Sequence, residues 1–228
     1  MLRFLKTKIF SDRVRPIRIV RGPFRGAFVV MNPNNSMRKI LGLYEHELNS
    51  WLNKALPRVT RVLDVGANDG YFTFGCAAAF RRLGKVGEII AFEPQQQHID
   101  VLRQSVEKQP KGNIQIRLLQ TLVGNEVQPG TTTLDIIRWE IGHPEDRTCT
   151  LVKIDVEGAE LDVLHGGLSW LNSSNYFVIE VHDEALLKTI TQLFAAHGLR
   201  LIRFNQRPLP FIGRELRAEK NWWLASEI

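Results

Sequence analysis

Beyond residue 58 the apolar positions fall into short continuous runs separated by longer amphipathic stretches. VTRVLDV, EIIAFEP, NIQIRLLQT, TCTLVKID and NYFVIEVH read as strands. GYFTFGCAAAFRRL, QHIDVLRQSVEK, GAELDVLHG and EALLKTITQLFAAHG read as helices, the third closed by Gly166 and Gly167. Continuous apolar strands between helices predict an α/β domain, a mostly parallel sheet covered by helices on both faces. LRLIRFNQ and NWWLASE follow as strands with no helix between them, which predicts an antiparallel pair at one edge. The stretch 124–148 is less regular and holds one short helix in TTLDIIRWE.

The first 58 residues follow another pattern. RVRPIRIVRGPFRGAFVVM is two short strands broken around Gly22–Pro23 and Gly26, a β-hairpin. The turn-rich NPNNS precedes a helix over 44–55, with Leu48, Trp51, Leu52 and Leu56 on one stripe. The expected organisation is a unit of hairpin and lead-in helix over 1–58, packed on a main domain over 59–228.

Charge separates the same two parts. Residues 1–58 hold 12 Lys or Arg against 3 Asp or Glu, and the remainder holds 18 against 21. The net +6 therefore belongs to the amino-terminal segment. A solvated face accounts for it; peripheral contact with a membrane or a polyanionic glycan is also compatible with it. The aromatic interleaving of single-strand binders is missing, which disfavours nucleic acid. No apolar run reaches the roughly 20 residues of a membrane span. MLRFLKTKIF lacks the long apolar centre of a signal peptide. The two cysteines form neither a disulfide framework nor a metal cluster, and Cys76 sits in an apolar helical pattern. A cytoplasmic location is expected.

Open parallel sheets bind ligands outside the carboxyl ends of their strands. In this sequence those ends carry 64-DVGANDG-70, Glu93, 119-LQTLVG-124, Asp155 with Glu157, and Glu180 with His182. Gly66 and Gly70 suit a tight strand-to-helix turn, but Asn68 stands where a dinucleotide fingerprint has its middle glycine. Asp64 before that turn would repel a pyrophosphate. Glu93 ends the second strand, where a carboxylate can accept both hydroxyls of a ribose. Asp64, Glu93, Asp155, Glu157 and Glu180 make an acidic rim. A cofactor with a ribose and a positive charge but no phosphate matches it, and S-adenosyl-L-methionine is such a molecule.

VLDVGANDGYFT, IIAFEP, TTLDII, LVKIDVEGAELDVLHG and FVIEVH together resemble the FkbM-type family of S-adenosylmethionine-dependent methyltransferases. The likeness runs from about residue 17 to the end and includes GLYEHEL as a lead-in helix. KIDVEGAE is its most specific phrase; DVGANDG fits many methyltransferases, and 139-WEIGHPEDRTC-149 matches nothing in the pattern. The resemblance implies the seven-stranded, Rossmann-like class I methyltransferase sheet and O-methylation of a hydroxyl on a sugar, glycolipid, polysaccharide or polyketide-type acceptor. It implies a cofactor site in which Gly66, Asn68 and Gly70 shape the methionine end, Asp64 lies near the ammonium, and Glu93 holds the ribose. Thr121 and Leu122 flank the adenine, and Glu45 closes the pocket. Asp155 and Glu157 face the cofactor's positive end and the acceptor.

A methylated alcohol loses a proton, so a base within roughly 2.6–3.2 Å assists. His182 is the first candidate, because its ordinary pKa of about 6.5 lies nearest neutrality; Asp155 is the second. Lys153 lies in the fourth strand on the side of Asp155 and needs a carboxylate partner. His143, His165 and His197 have no ligand-like spacing, and no metal is assigned. Three other readings compete: an NAD-linked oxidoreductase, an N-methyltransferase of nucleic acid or protein, and a cofactor-binding module without turnover. The second wants an Asn/Asp-Pro-Pro-aromatic motif where DVEG stands.

Overall fold

Alternation along each strand assigns its side chains to two cores, one on each face of a central sheet. The structure, a computed structural model, describes residues 13–142, 148–205, 208–209 and 221–228. The opening MLRFLKTKIF, His143 and the end of LRLIRFNQ lie outside the described residues.

The sheet has seven strands: β3 (Arg61–Val65), β4 (Gly87–Phe92), β5 (Ile114–Leu119), β8 (Thr150–Ile154), β9 (Tyr176–Val181), β10 (Leu201–Phe204) and β11 (Trp222–Ser226). Their order is β10-β11-β9-β8-β3-β4-β5. Six run in one direction, and β11 alone runs antiparallel, between β9 and β10. The last two strands thus pair as expected, with the final strand inserted inside the sheet and β10 taking the edge. Order reverses at β3, the switch point beside which such sheets bind ligands.

Helices α3 (Tyr71–Arg82) and α4 (Gln96–Glu107) cover one face; α5 (Leu134–Ile141), α6 (Glu160–His165) and α7 (Glu184–Ala196) cover the other. Val62, Ile89, Leu151 and Val178 point to the first core; Leu63, Ile90, Val152 and Ile179 point to the second. In the irregular region the helix α5 is preceded by a two-stranded parallel ladder, β6 (Leu122–Val123) on β7 (Thr131–Thr132), that the pattern does not reveal.

The amino-terminal strands β1 (Arg15–Arg18) and β2 (Phe28–Met31) pair antiparallel. A short α1 (Met37–Ile40) follows. The lead-in helix begins later than the apolar stripe suggests: a 3-10 turn at His46–Leu48 precedes α2 (Asn49–Ala55). This unit shares the first core. Phe24 fills the notch left by Gly75, where a Cβ would lie 2.2 Å from its ring. The Trp51 indole donates to the Ser226 carbonyl at 2.7 Å, and the Val30 amide donates to Ser105 Oγ at 2.9 Å. Among the described residues no helix is long and apolar enough to cross a membrane.

Candidate active site

The carboxyl ends of β3, β4 and β8 open onto a cleft of about 300 Å³. Gly66, Asn68, Glu93, Thr121, Leu122, Asp155 and Glu157 line it, together with His98. Gly66 brings the β3 turn against β8: its φ is +78°, and a Cβ would stand 1.9 Å from the Asp155 carbonyl oxygen. No other residue type fits that approach. Gly70 starts α3 at φ +83°, with Phe74 and Leu102 filling the space a side chain would need.

Four amides of the β3 turn are already bonded within the protein. Those of Gly66 and Ala67 donate to the Phe92 carbonyl, each at 3.0 Å, and that of Gly70 donates to the Ala67 carbonyl at 2.8 Å. The Asn68 amide donates to Glu93 Oε2 at 2.8 Å, and the Gln95 amide donates to Glu93 Oε1 at 2.9 Å. His98 Nδ1 lies 3.3 Å from Glu93 Oε1. Glu93 therefore fixes the turn and faces the cleft at once, since a carboxylate can accept about four hydrogen bonds.

Beneath this loop lies a buried ion network set by strand register. Asp64 on β3 and Lys153 on β8 are direct neighbours in parallel pairing. The Lys153 ammonium lies 3.2 Å from Asp64 Oδ1 and 3.1 Å from Asp155 Oδ2, and donates to the Gly66 carbonyl at 2.7 Å. The Thr73 hydroxyl donates to Asp64 Oδ2. Burial works against the Lys153 charge, but Asp155, Asp64 and Glu45 outweigh it and its pKa is raised. Burial pushes the Asp64 carboxyl up, Lys153 and Thr73 opposing. Burial also works against the Asp155 charge, yet Lys153 and its neighbours hold its pKa below the ordinary value.

A histidine completes the rim. His182, just past β9, places Nε2 3.9 Å from Asp155 Oδ1 and Nδ1 2.6 Å from Glu160 Oε1. Glu160 is fully buried. The hydrogen bond to Glu160 raises the His182 pKa; burial opposes this, and the charges of Glu180, Glu160 and Asp155 add to it. Asn221 donates to Glu180 Oε1 at 2.9 Å. Asp155, Glu180 and His182 bring ligand-type atoms within 4.8 Å of one another. Lys153 already supplies a cation at Asp155, so we assign no ion to this group.

The cleft gathers most of the residues singled out from the sequence. Asp64, Gly70, His182 and Glu45 lie outside the lining; Asp64 is fully buried below it, a partner of Lys153 and Thr73. Glu45 holds a left-handed conformation (φ +48°) and its charge acts on Lys153. Strain of this kind, costing about 1–3 kcal/mol, gathers at functional sites. Asn68 shares it at φ +49°. Glu160 and His98 escaped the sequence reading. His98 stands on the first turns of α4, five residues past Glu93, a spacing that no strand-end survey samples.

Strand order, switch point and the cleft beside it are those of the class I methyltransferase fold. Residues 104–201, less than half of the chain, match the family model of the methyltransferase FkbM domain. The hexuronic acid methyltransferase AglP of Haloferax volcanii is 29% identical over 171 residues, which is 66% of this chain and 69% of that one. The solved structure of methyltransferase FkbM from Methylobacillus flagellatus KT aligns with a TM-score of 0.52 at 17% identity, over 75% of this chain. This chain spans only 44% of that one. A precorrin-6y C5,15-methyltransferase from Geobacter metallireducens GS-15 aligns at a TM-score of 0.48 and 12% identity, over 78% of this chain and 88% of that one. Residues 104–201 thus resemble the FkbM methyltransferase domain, in line with the motifs of the sequence.

Proposed function

We propose that the protein transfers a methyl group from S-adenosyl-L-methionine to a hydroxyl of a sugar-type acceptor. One observation carries the choice of cofactor: the amides of Gly66, Ala67, Asn68 and Gly70 all bond inside the protein. A pyrophosphate binds through free amides at such a turn, so the geometry disfavours NAD. What the cleft offers is carboxylate, from Glu93, Asp155 and Glu157. Carboxylates suit ribose hydroxyls and a sulfonium. Glu93 would hold the ribose, Thr121 and Leu122 would flank the adenine, and Asp155 with Glu157 would face the positive end. When bound there, the cofactor supplies the methyl group and leaves as its thioether, the carbon–sulfur electron pair staying on sulfur.

The protein's part is to position the acceptor oxygen and take its proton. His182 suits that proton better than Asp155 does. Asp155 is tied to Lys153 and its pKa is lowered, which makes it a weak base. His182 stands beside it with a raised pKa. Sugars carrying a hexuronate are the acceptor class favoured by the relative from Haloferax volcanii, and an anionic glycan also suits the basic amino-terminal segment.

Glu93→Ala tests the cofactor assignment. Losing two charge-assisted hydrogen bonds of about 1.5 kcal/mol each should weaken S-adenosylmethionine binding on the order of a hundredfold. The turnover number at saturating cofactor should change far less. An unchanged dissociation constant, with the fold intact by circular dichroism, would show that the ribose lies elsewhere.

A further inference from the structure

We infer that Glu160 is a positioning residue for methyl transfer: it accepts the Nδ1–H of His182 and so leaves Nε2, on the side of Asp155 and Glu180, as the nitrogen that takes the acceptor's proton. The inference rests on the reading of His182 as the base.

The geometry begins with the imidazole, whose neutral form donates from one nitrogen and accepts at the other. Glu160 Oε1 lies 2.6 Å from Nδ1 and 3.3 Å from the His182 amide, and accepts from the Gly158 amide at 3.2 Å. Ring, strand end and loop are thus pinned to one oxygen. A carboxylate can only accept, so Nδ1 carries the proton and the Nε2 lone pair is presented outward. Nε2 faces Asp155 Oδ1 at 3.9 Å, on the side of the rim that Asp155 shares with the cleft.

The second observation is the state of Glu160 itself. It is fully buried, and its other oxygen, Oε2, has no hydrogen-bond partner among the described residues. A buried carboxylate bonded at one oxygen only is costly unless a cation stands against it. The imidazolium formed when His182 takes the proton is such a cation, so Glu160 stabilises the charge that develops during the step. The groups facing the ring are Glu160 at the start of α6, Asp155 after β8 and Glu180 in β9. All three are acidic and favour the protonated ring; of the three, Glu160 holds Nδ1.

Glu160→Gln keeps the shape and removes the charge. In the intact protein, the His182 ring is followed by NMR titration, its signal assigned by its loss in His182→Ala. The Glu160→Gln midpoint should fall below the wild-type one, and the acidic limb of the kcat/KM profile should move down in pH with it, while kcat drops at least tenfold. Adding Glu160→Gln to His182→Ala should cost nothing more. A ring midpoint and acidic limb that match wild type in Glu160→Gln would overturn the inference, even if the variant melts at a lower temperature. Should His182→Ala keep wild-type turnover, the base reading itself fails, which is a separate result. Should Glu160→Gln not fold, the wild-type titration decides: a midpoint above the ordinary 6.5 is expected, and one at or below it would overturn the inference.

Discussion

His182→Ala is expected to lower turnover by about 10²–10⁴-fold, the usual contribution of a positioned base, with cofactor affinity nearly unchanged. The expectation follows from where the ring stands. His182 lies beyond β9 and is not among the residues lining the cofactor cleft, yet Nε2 reaches the rim at Asp155. Its loss should therefore affect the acceptor proton and spare the cofactor's seat. Alanine also strips the buried Glu160 of its side-chain partner, so His182→Gln, which restores a donor near Oε1, serves as the stability control. Transfer of a labelled methyl group to hexuronate-bearing oligosaccharides, measured beside cofactor titration, gives both quantities. A parallel loss of turnover and affinity would end the assignment. In the wild type, activity should rise with pH as His182 sheds its proton. Because its pKa is raised, that limb should sit above the ordinary histidine value of about 6.5.

Lys153→Met is expected to give the largest loss of stability. Lys153 is 5% exposed and joins Asp64 in the core to Asp155 at the rim. Removing one partner from a buried ion pair costs about 3–5 kcal/mol, because the remaining charge is left uncompensated. For a chain of this size that corresponds to a fall in Tm of about 6–20 °C. The pH dependence has a definite sign. Asp155 has a lowered pKa in the folded state, so its contribution is full above the ordinary carboxylate value and fades as pH falls through the folded one. Lys153 has a raised pKa, so its contribution is full below the ordinary lysine value and fades only in strong alkali. The difference in Tm between wild type and Lys153→Met should therefore be greatest near neutrality and shrink in acid. Equal melting temperatures at pH 7 would show that the network contributes nothing net.

Much of this arrangement is legible in the sequence, for reasons tied to particular residues. A strand repeats every two residues, so Lys153 and Asp155 fall on one side, and parallel register then sets Lys153 against Asp64. Glu93 is legible because strand ends in a parallel sheet converge on one edge. Asp64 was expected near the cofactor's ammonium, but the same alternation turns its side chain under α3, where Thr73 and Lys153 occupy it. Glu160 was missed because an acid in the first turn of a helix ordinarily looks like a solvated partner of the helix dipole. Its burial arises only when α6 folds back over the end of β9, an approach between distant segments that no local pattern carries. The late start of α2 has a similar origin: Glu45 takes a left-handed backbone conformation where its charge acts on Lys153, against its own local preference.

The most direct test of the central claim is calorimetric titration of the intact protein with S-adenosylmethionine, S-adenosylhomocysteine and NAD in parallel. The account predicts saturable binding of both adenosyl ligands and none of NAD, since the amides of Gly66, Ala67, Asn68 and Gly70 are already bonded. A folded protein that binds NAD, or that binds neither adenosyl ligand, would contradict it.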